Sequence, residues 1–174
     1  MPILVPQPLH RDSFAAFGDV IESVSTAATA MNAERFERFD DLCRVEAHDG
    51  HISVSIARCR SVTTLPYSFD MVERHPHGSQ AFVPLTPCRM LVVVAPPGES
   101  VAPGDLRAFV SNGRQGINYH RGTWHMPLIA FEQGQEFLVI DRGGNTPNCD
   151  FIYFDAPITL GDVLTATRPA AQAD

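Results

Sequence analysis

Apolar and polar residues alternate along most of this chain, and the period is two. In His51–Cys59 (HISVSIARC), Ile52, Val54 and Ile56 fall on one side while Ser53 and Ser55 fall on the other, the pattern of a strand. Tyr67–Glu73, Gln80–Leu85, Leu106–Val110, Phe137–Asp141 and Phe151–Phe154 read as further strands, and Met90–Ala95, apolar almost throughout, as a buried one. Asp49-Gly50 lies between two alternating runs, CRVEAH and HISVSIARC, and predicts a two-residue hairpin turn joining them. Asn112-Gly113 predicts another turn, Pro96–Pro103 a loop, and Gly143-Gly144-Asn145 the break between the last two strands. Helical signals are few. Asp12–Gly18 predicts a short helix with Asp12 as N-cap, Phe14 and Phe17 on one face and Gly18 as terminator. Val24–Ala33 reads as a loop, and Arg35–Leu42 (RFERFDDL) as a helical turn or a loop folded over a site.

About ten short strands with Pro/Gly turns make the chain mainly β, a closed barrel or jelly roll with a few short helices. A two-sheet immunoglobulin-like sandwich is the alternative, without the cysteine pair that spaces such a fold. The 174 residues suit one domain over residues 1–166, followed by a polar, alanine-rich tail, 167–174, expected to fray.

Composition narrows the function. A net charge of -7 and a pI near 5.4 argue against nucleic acid or an anionic membrane as partner. No stretch approaches the roughly 20 apolar residues of a spanning helix, and the first residues carry no signal-peptide pattern. Four cysteines without CxxC spacing read as reduced thiols of a cytoplasmic protein. All 13 basic residues are arginine, so Schiff-base catalysis through a lysine is excluded.

The candidate chemistry lies in two stretches. ERHPHGSQAFVPL (Glu73–Leu85) places Glu73 and His75 on one strand face, turns Arg74 away, and brings Gln80 in after the Pro76–Gly78 bend. GINYHRGTWHMPL (Gly116–Leu128) supplies His120 and His125, with Tyr119 and Trp124 as candidate pocket walls. Glu73, His75, Gln80 and His125 form a possible ligand set for a loosely bound divalent metal such as Ni or Mn, since the neutral Gln80 is a weak ligand. The same residues also read as a metal-free, hydrogen-bonded cluster in which Glu73 and His75 make a proton-transfer pair. His48 and His51, flanking the predicted turn, read as surface histidines.

ERHPHGSQAFVPL, RAFVSNGRQGINYHRGTWHMPL (Arg107–Leu128) and FLVIDRGGNTPNCD (Phe137–Asp150) resemble the ureidoglycolate lyase family, as do FAAFGDVIE (Phe14–Glu22) and ERFDDL (Glu37–Leu42). The resemblance implies a cupin-type double-stranded β-helix, a homodimer, and cleavage of ureidoglycolate into glyoxylate and urea in allantoin (purine) degradation. It implies no organic cofactor. Against general cupins, Glu73, His75 and Gln80 stand where two histidines and a glutamate are usual, His125 takes the later ligand position, and His120 replaces a proline. Ala33 follows Asn32 where the lyase family has a glycine. The implied substrate is a carboxylate, which Arg121 or Arg142 would hold; Arg142 is preferred, because it shares a strand face with Ile140 and adjoins Gly143-Gly144. Glu73, His75, His120 and His125 are the expected acid–base residues, with Gln80, Tyr119, Trp124, Arg121 and Arg142 around the substrate. A non-catalytic ligand-binding cupin and a hydrolase releasing ammonia are the competing functions.

Overall fold

A computed structural model describes residues 3–23 and 28–162. In chain order, β1 is Ile3–Leu4, β2 Gln7–Pro8, α1 Arg11–Phe14, β3 Gly18–Ile21, β4 Thr29–Met31 and β5 Phe36–Arg38. They are followed by β6 (His51–Arg58), β7 (Tyr67–Arg74), β8 (Gln80–Pro84), β9 (Met90–Ala95), β10 (Arg107–Val110) and β11 (Gly116–Tyr119). The last four are β12 (Trp124–His125), β13 (Ile129–Ala130), β14 (Glu136–Gly143) and β15 (Asp150–Leu160).

One sheet runs β1-β15-β7-β12-β9-β10-β2, with β13 also on β9; the other runs β3-β11-β8-β14-β6. β9 explains the packing. All six of its residues are buried, and they divide by parity. Met90, Val92 and Val94 meet Val20, Ile117, Tyr119 and Phe137 of the second sheet, while Leu91, Val93 and Ala95 join a separate cluster on the opposite face. The fold is thus mainly β, with two sheets packed around an inter-sheet core. No helix among the described residues is long and apolar enough to cross a membrane.

Three local expectations are corrected. The helix is shorter and capped at His10, not Asp12, with the Phe14 N–H donating to His10 O at 3.0 Å. Phe14 and Phe17 still drive into the inter-sheet core, where both pack on Phe109. Gly18 ends this segment for a steric reason, since a Cβ there would lie 2.1 Å from Asn118 O.

Asp49-Gly50 does not close a hairpin between its flanking runs. β6 pairs instead with β14 over eight residues, from Arg58↔Glu136 to His51↔Gly143. The Cys43–His48 run is drawn onto the bend after β7: Ala47 bridges Gly78, the His48 N–H donates to His77 O at 2.7 Å, and the Ser79 N–H to Glu46 O at 3.0 Å. A long ladder to β14 satisfies more backbone groups than the local turn could.

Arg35–Leu42 is neither a helical turn nor a plain loop. Phe36–Arg38 pairs with Thr29–Met31 in an exposed two-stranded ribbon. Its turn holds Asn32, Ala33 and Glu34 at φ of 54°, 54° and 64°, so Ala33 takes the left-handed conformation that a glycine would adopt freely. Residues 24–27 of the predicted loop, and the predicted tail 167–174, lie outside the described residues.

Candidate active site

The site forms where the inner faces of the two sheets meet. Glu73, the next-to-last residue of β7, lies directly across the ladder from His125 of β12, so both side chains leave the same face. His75 follows β7, and its ring centroid is 5.1 Å from that of His125. From the second sheet, Tyr119 stacks on His125 at 4.3 Å and 19°, with Gln80 opposite it in the β8–β11 register. One ligand atom each from Glu73, His75 and His125 lies within 4.8 Å of the others. The His125 Nε2–Glu73 Oε1 separation is 3.6 Å.

Hydrogen bonds fix both imidazole tautomers. His75 Nδ1 is 2.7 Å from Asn148 O, and His125 Nδ1 is 2.9 Å from Thr123 O. A carbonyl only accepts, so each Nδ1 carries the proton and each Nε2 of the neutral ring keeps a free lone pair. Both Nε2 atoms and Tyr119 Oη are buried with no hydrogen-bond partner. Buried polar atoms are normally paired, so three orphaned atoms in one cluster mark a place built for a ligand. Imidazole and carboxylate donors, with each Nδ1 tied to a backbone carbonyl, suit a divalent transition metal.

Burial dominates the electrostatics. It drives His125 down to about 3, with His75 adding to the effect against the Thr123 bond. Burial and the Glu73 carboxylate push the Tyr119 phenol upward, keeping it protonated. Cys149, whose thiol meets Glu73 Oε2 at 3.3 Å, is raised to about 12 by burial and then by Glu73.

Stability should depend on pH accordingly. His125 stays neutral in the folded protein to about pH 3 but takes a proton near 6.5 when unfolded. The unfolded chain therefore binds more protons below 6.5, and the contribution is full above that pH and lost on acidification. The expected slope from this group is about 1.4 kcal/mol per pH unit. Asp19 acts in the same sense further down. Burial alone would raise its carboxyl, but bonds from Asn118, His120 and the Arg44 N–H together hold it below its ordinary value. Urea unfolding at about pH 7 and about pH 5 tests this; stability that is flat or rising on acidification contradicts it, and His125→Asn should flatten the slope.

Residues 1–161 match the family model described as ureidoglycolate lyase. The chain belongs to this family. It is 46% identical over 157 residues to a ureidoglycolate lyase of Pseudomonas syringae pv. tomato, covering 89% of this chain and 92% of that protein. A ureidoglycolate lyase of Stutzerimonas stutzeri is likewise 46% identical over 156 residues, covering 88% of this chain and 91% of its own. Among solved structures, a dTDP sugar isomerase from Desulfovibrio desulfuricans G20 aligns at a TM-score of 0.43 and 16% identity over 80% of this chain and 85% of that one, too loosely to add to the topology above.

In this member of the ureidoglycolate lyase family, the other expected site residues are dispersed. Arg74 does turn away, lying 4.8 Å over the Trp124 ring and donating to Asp150 at 2.9 Å. Trp124 goes with it. Neighbouring His125 in a strand, it must take the opposite face, where it is buried in the outer cluster with its indole N–H on Gly98 O at 3.0 Å. His120 also leaves the group. Its Nε2 meets Asp19 Oδ1 at 3.1 Å, in a cluster with Asn118, which pairs with the outward-facing Ala81. Arg142 is buried away from the site. Its Nε donates to His48 O at 2.6 Å and one terminal nitrogen to Thr146 O at 3.2 Å, while the other binds Asp49 O and Thr146 Oγ1. Arg121 is exposed on the turn between Tyr119 and His125, next to Gly122, whose N–H donates to His75 O at 3.0 Å. Two residues that the sequence did not single out, Asn148 and Cys149, touch His75 and Glu73 directly.

Proposed function

We propose that this chain splits ureidoglycolate into glyoxylate and urea at Glu73, His75, His125 and Tyr119. The observation that carries this reading is the convergence of a carboxylate with two free Nε2 lone pairs and an unpartnered phenol between the sheets. One carbon of the substrate bears a hydroxyl, a carboxylate and the ureido nitrogen. Glu73 Oε1 takes the hydroxyl proton; the O–H electron pair becomes the carbonyl of glyoxylate as the carbon–nitrogen bond breaks. The proton then passes to the departing nitrogen, completing urea. The Tyr119 O–H, kept protonated by burial, donates to a substrate oxygen. The reaction requires neither a nucleophile nor an organic cofactor, consistent with a chain that has no lysine. Glyoxylate formation by the purified protein, against a no-protein control, tests the reading; no acceleration favours the non-catalytic ligand-binding cupin.

Glu73, His75 and His125, with Gln80 as a weak neighbour, are proposed to hold a nickel or manganese ion loosely. When bound, the ion supplies a Lewis acid for the hydroxyl and carboxylate oxygens. In its absence the two Nε2 atoms accept hydrogen bonds from the ureido N–H groups.

With the Arg142 guanidinium bonded to protein oxygens, Arg121 is the arginine proposed to attract the substrate carboxylate. Arg121→Lys keeps the charge but loses the fork, so the expected result is a KM raised about threefold to tenfold with kcat little changed. An unchanged KM assigns the carboxylate to other groups.

Homodimer formation is proposed through the outer face of the second sheet. Ile52, Val54 and Ile56 are 48%, 64% and 52% exposed, on a strand that is also the sheet edge. A contiguous apolar face on an open edge favours self-association. Val54→Asp should move the sedimentation coefficient from dimer to monomer; a wild-type monomer, or a variant that stays dimeric, contradicts this face. A cytoplasmic location is proposed from the four cysteines of the sequence, which show no CxxC spacing.

A further inference from the structure

We propose that the Cys149 thiol is a positioning residue that fixes the Glu73 carboxylate, as the middle point of a three-residue clip on the end of β7. The proposal rests on the reading of Glu73 as a working residue of the site. Three consecutive residues hold the 73–77 segment. Asn148 accepts the His75 Nδ1–H on its carbonyl at 2.7 Å and the His77 N–H on its side chain at 2.8 Å. Cys149 Sγ–H donates to Glu73 Oε2 at 3.3 Å, and Asp150 accepts from Arg74 Nε at 2.9 Å.

The alternation follows from the ladder. Asp150 pairs with Arg74 and Phe151 with Glu73, so Cys149 and Phe151 share the face of Glu73 while Asp150 takes that of Arg74. A glutamate's terminal torsion is broad and nearly two-fold, so an unheld carboxylate would rotate. The thiol occupies Oε2 and leaves Oε1 turned to His125 Nε2 at 3.6 Å. A small donor is what the place requires: serine would serve, whereas alanine would leave Glu73 free to turn.

Three readouts on the full-length protein separate this role from mere packing. The S–H stretching band of Cys149, isolated by infrared difference against Cys149→Ser, should lie below the free-thiol frequency and move up to it in Glu73→Ala. Mn(II) affinity, read by electron paramagnetic resonance, should fall about tenfold in Cys149→Ala, with kcat falling similarly and KM nearly unchanged. Cys149→Ser should stay within about threefold of wild type in both. A free-thiol band in the wild type, alanine equal to wild type, or serine losing as much as alanine would each overturn the clip. Absence of turnover in the wild type contradicts the lyase reading alone, because the infrared band and the Mn(II) affinity report on the thiol without substrate.

Discussion

Glu73→Gln should lower kcat for ureidoglycolate by about 10²-fold or more, with KM changed far less. The amide keeps the size of the side chain and still accepts from Cys149, but it cannot take the hydroxyl proton. Alanine at His75 or His125 should cost a similar factor, on the order of 10²-fold, by removing an Nε2 atom that has no other partner. His125 is the harder case, because it is only 2% exposed and its ring carries the Tyr119 stack. Circular dichroism must therefore accompany its kinetics. Wild-type turnover in Glu73→Gln would move the reaction elsewhere in the fold.

Arg142→Ala should be among the most destabilising single changes outside the apolar core, costing about 3 kcal/mol. The side chain is 7% exposed, and its guanidinium gathers three backbone carbonyls and the Thr146 hydroxyl. Removing it strands those carbonyls beneath the segment that turns at Asp49-Gly50. Gly78 makes room for it, since a Cβ at that position would lie 2.7 Å from Arg142 Cβ. Arg142→Lys should lose less, keeping the charge but reaching fewer acceptors, and should leave the KM for ureidoglycolate near wild type. The urea midpoint measures the loss of stability. An unchanged midpoint, or a KM raised in Arg142→Lys at full stability, would return Arg142 to the substrate.

Much of the architecture was legible because strand periodicity depends only on neighbours in the chain. β7, β8 and β9 begin where alternation or continuous apolarity predicts, and the same parity rule turned Arg74 outward from Glu73. What escaped was set by partners distant in sequence. The Asp49-Gly50 signal is local, whereas the choice of β14 over Cys43–His48 is made by a ladder reaching about ninety residues away. Alternation put Ile52, Val54 and Ile56 on one face but could not say which; that face is exposed, and Ser53, Ser55 and Ala57 share the side of Val139 and Phe137 in the β14 register. Trp124 could have been excluded from the pocket by parity with His125, a signal present but unused. His120 lies beyond the end of β11, where alternation no longer fixes direction, and Asp19 captures it. Arg142 shared a face with Ile140 as expected, but that face is the outer one, where backbone oxygens await its guanidinium. Cys149 gave no sign, because its role arises only from the β7–β15 register.

The most direct test of the account is the nitrogen product of ureidoglycolate cleavage by the purified protein, with urea, ammonia and glyoxylate measured in the same reaction. Elimination predicts one urea for each glyoxylate, no ammonia beyond the control, and loss of both products in Glu73→Gln. Ammonia released in step with glyoxylate would contradict it and make the chain a hydrolase of the ureido group.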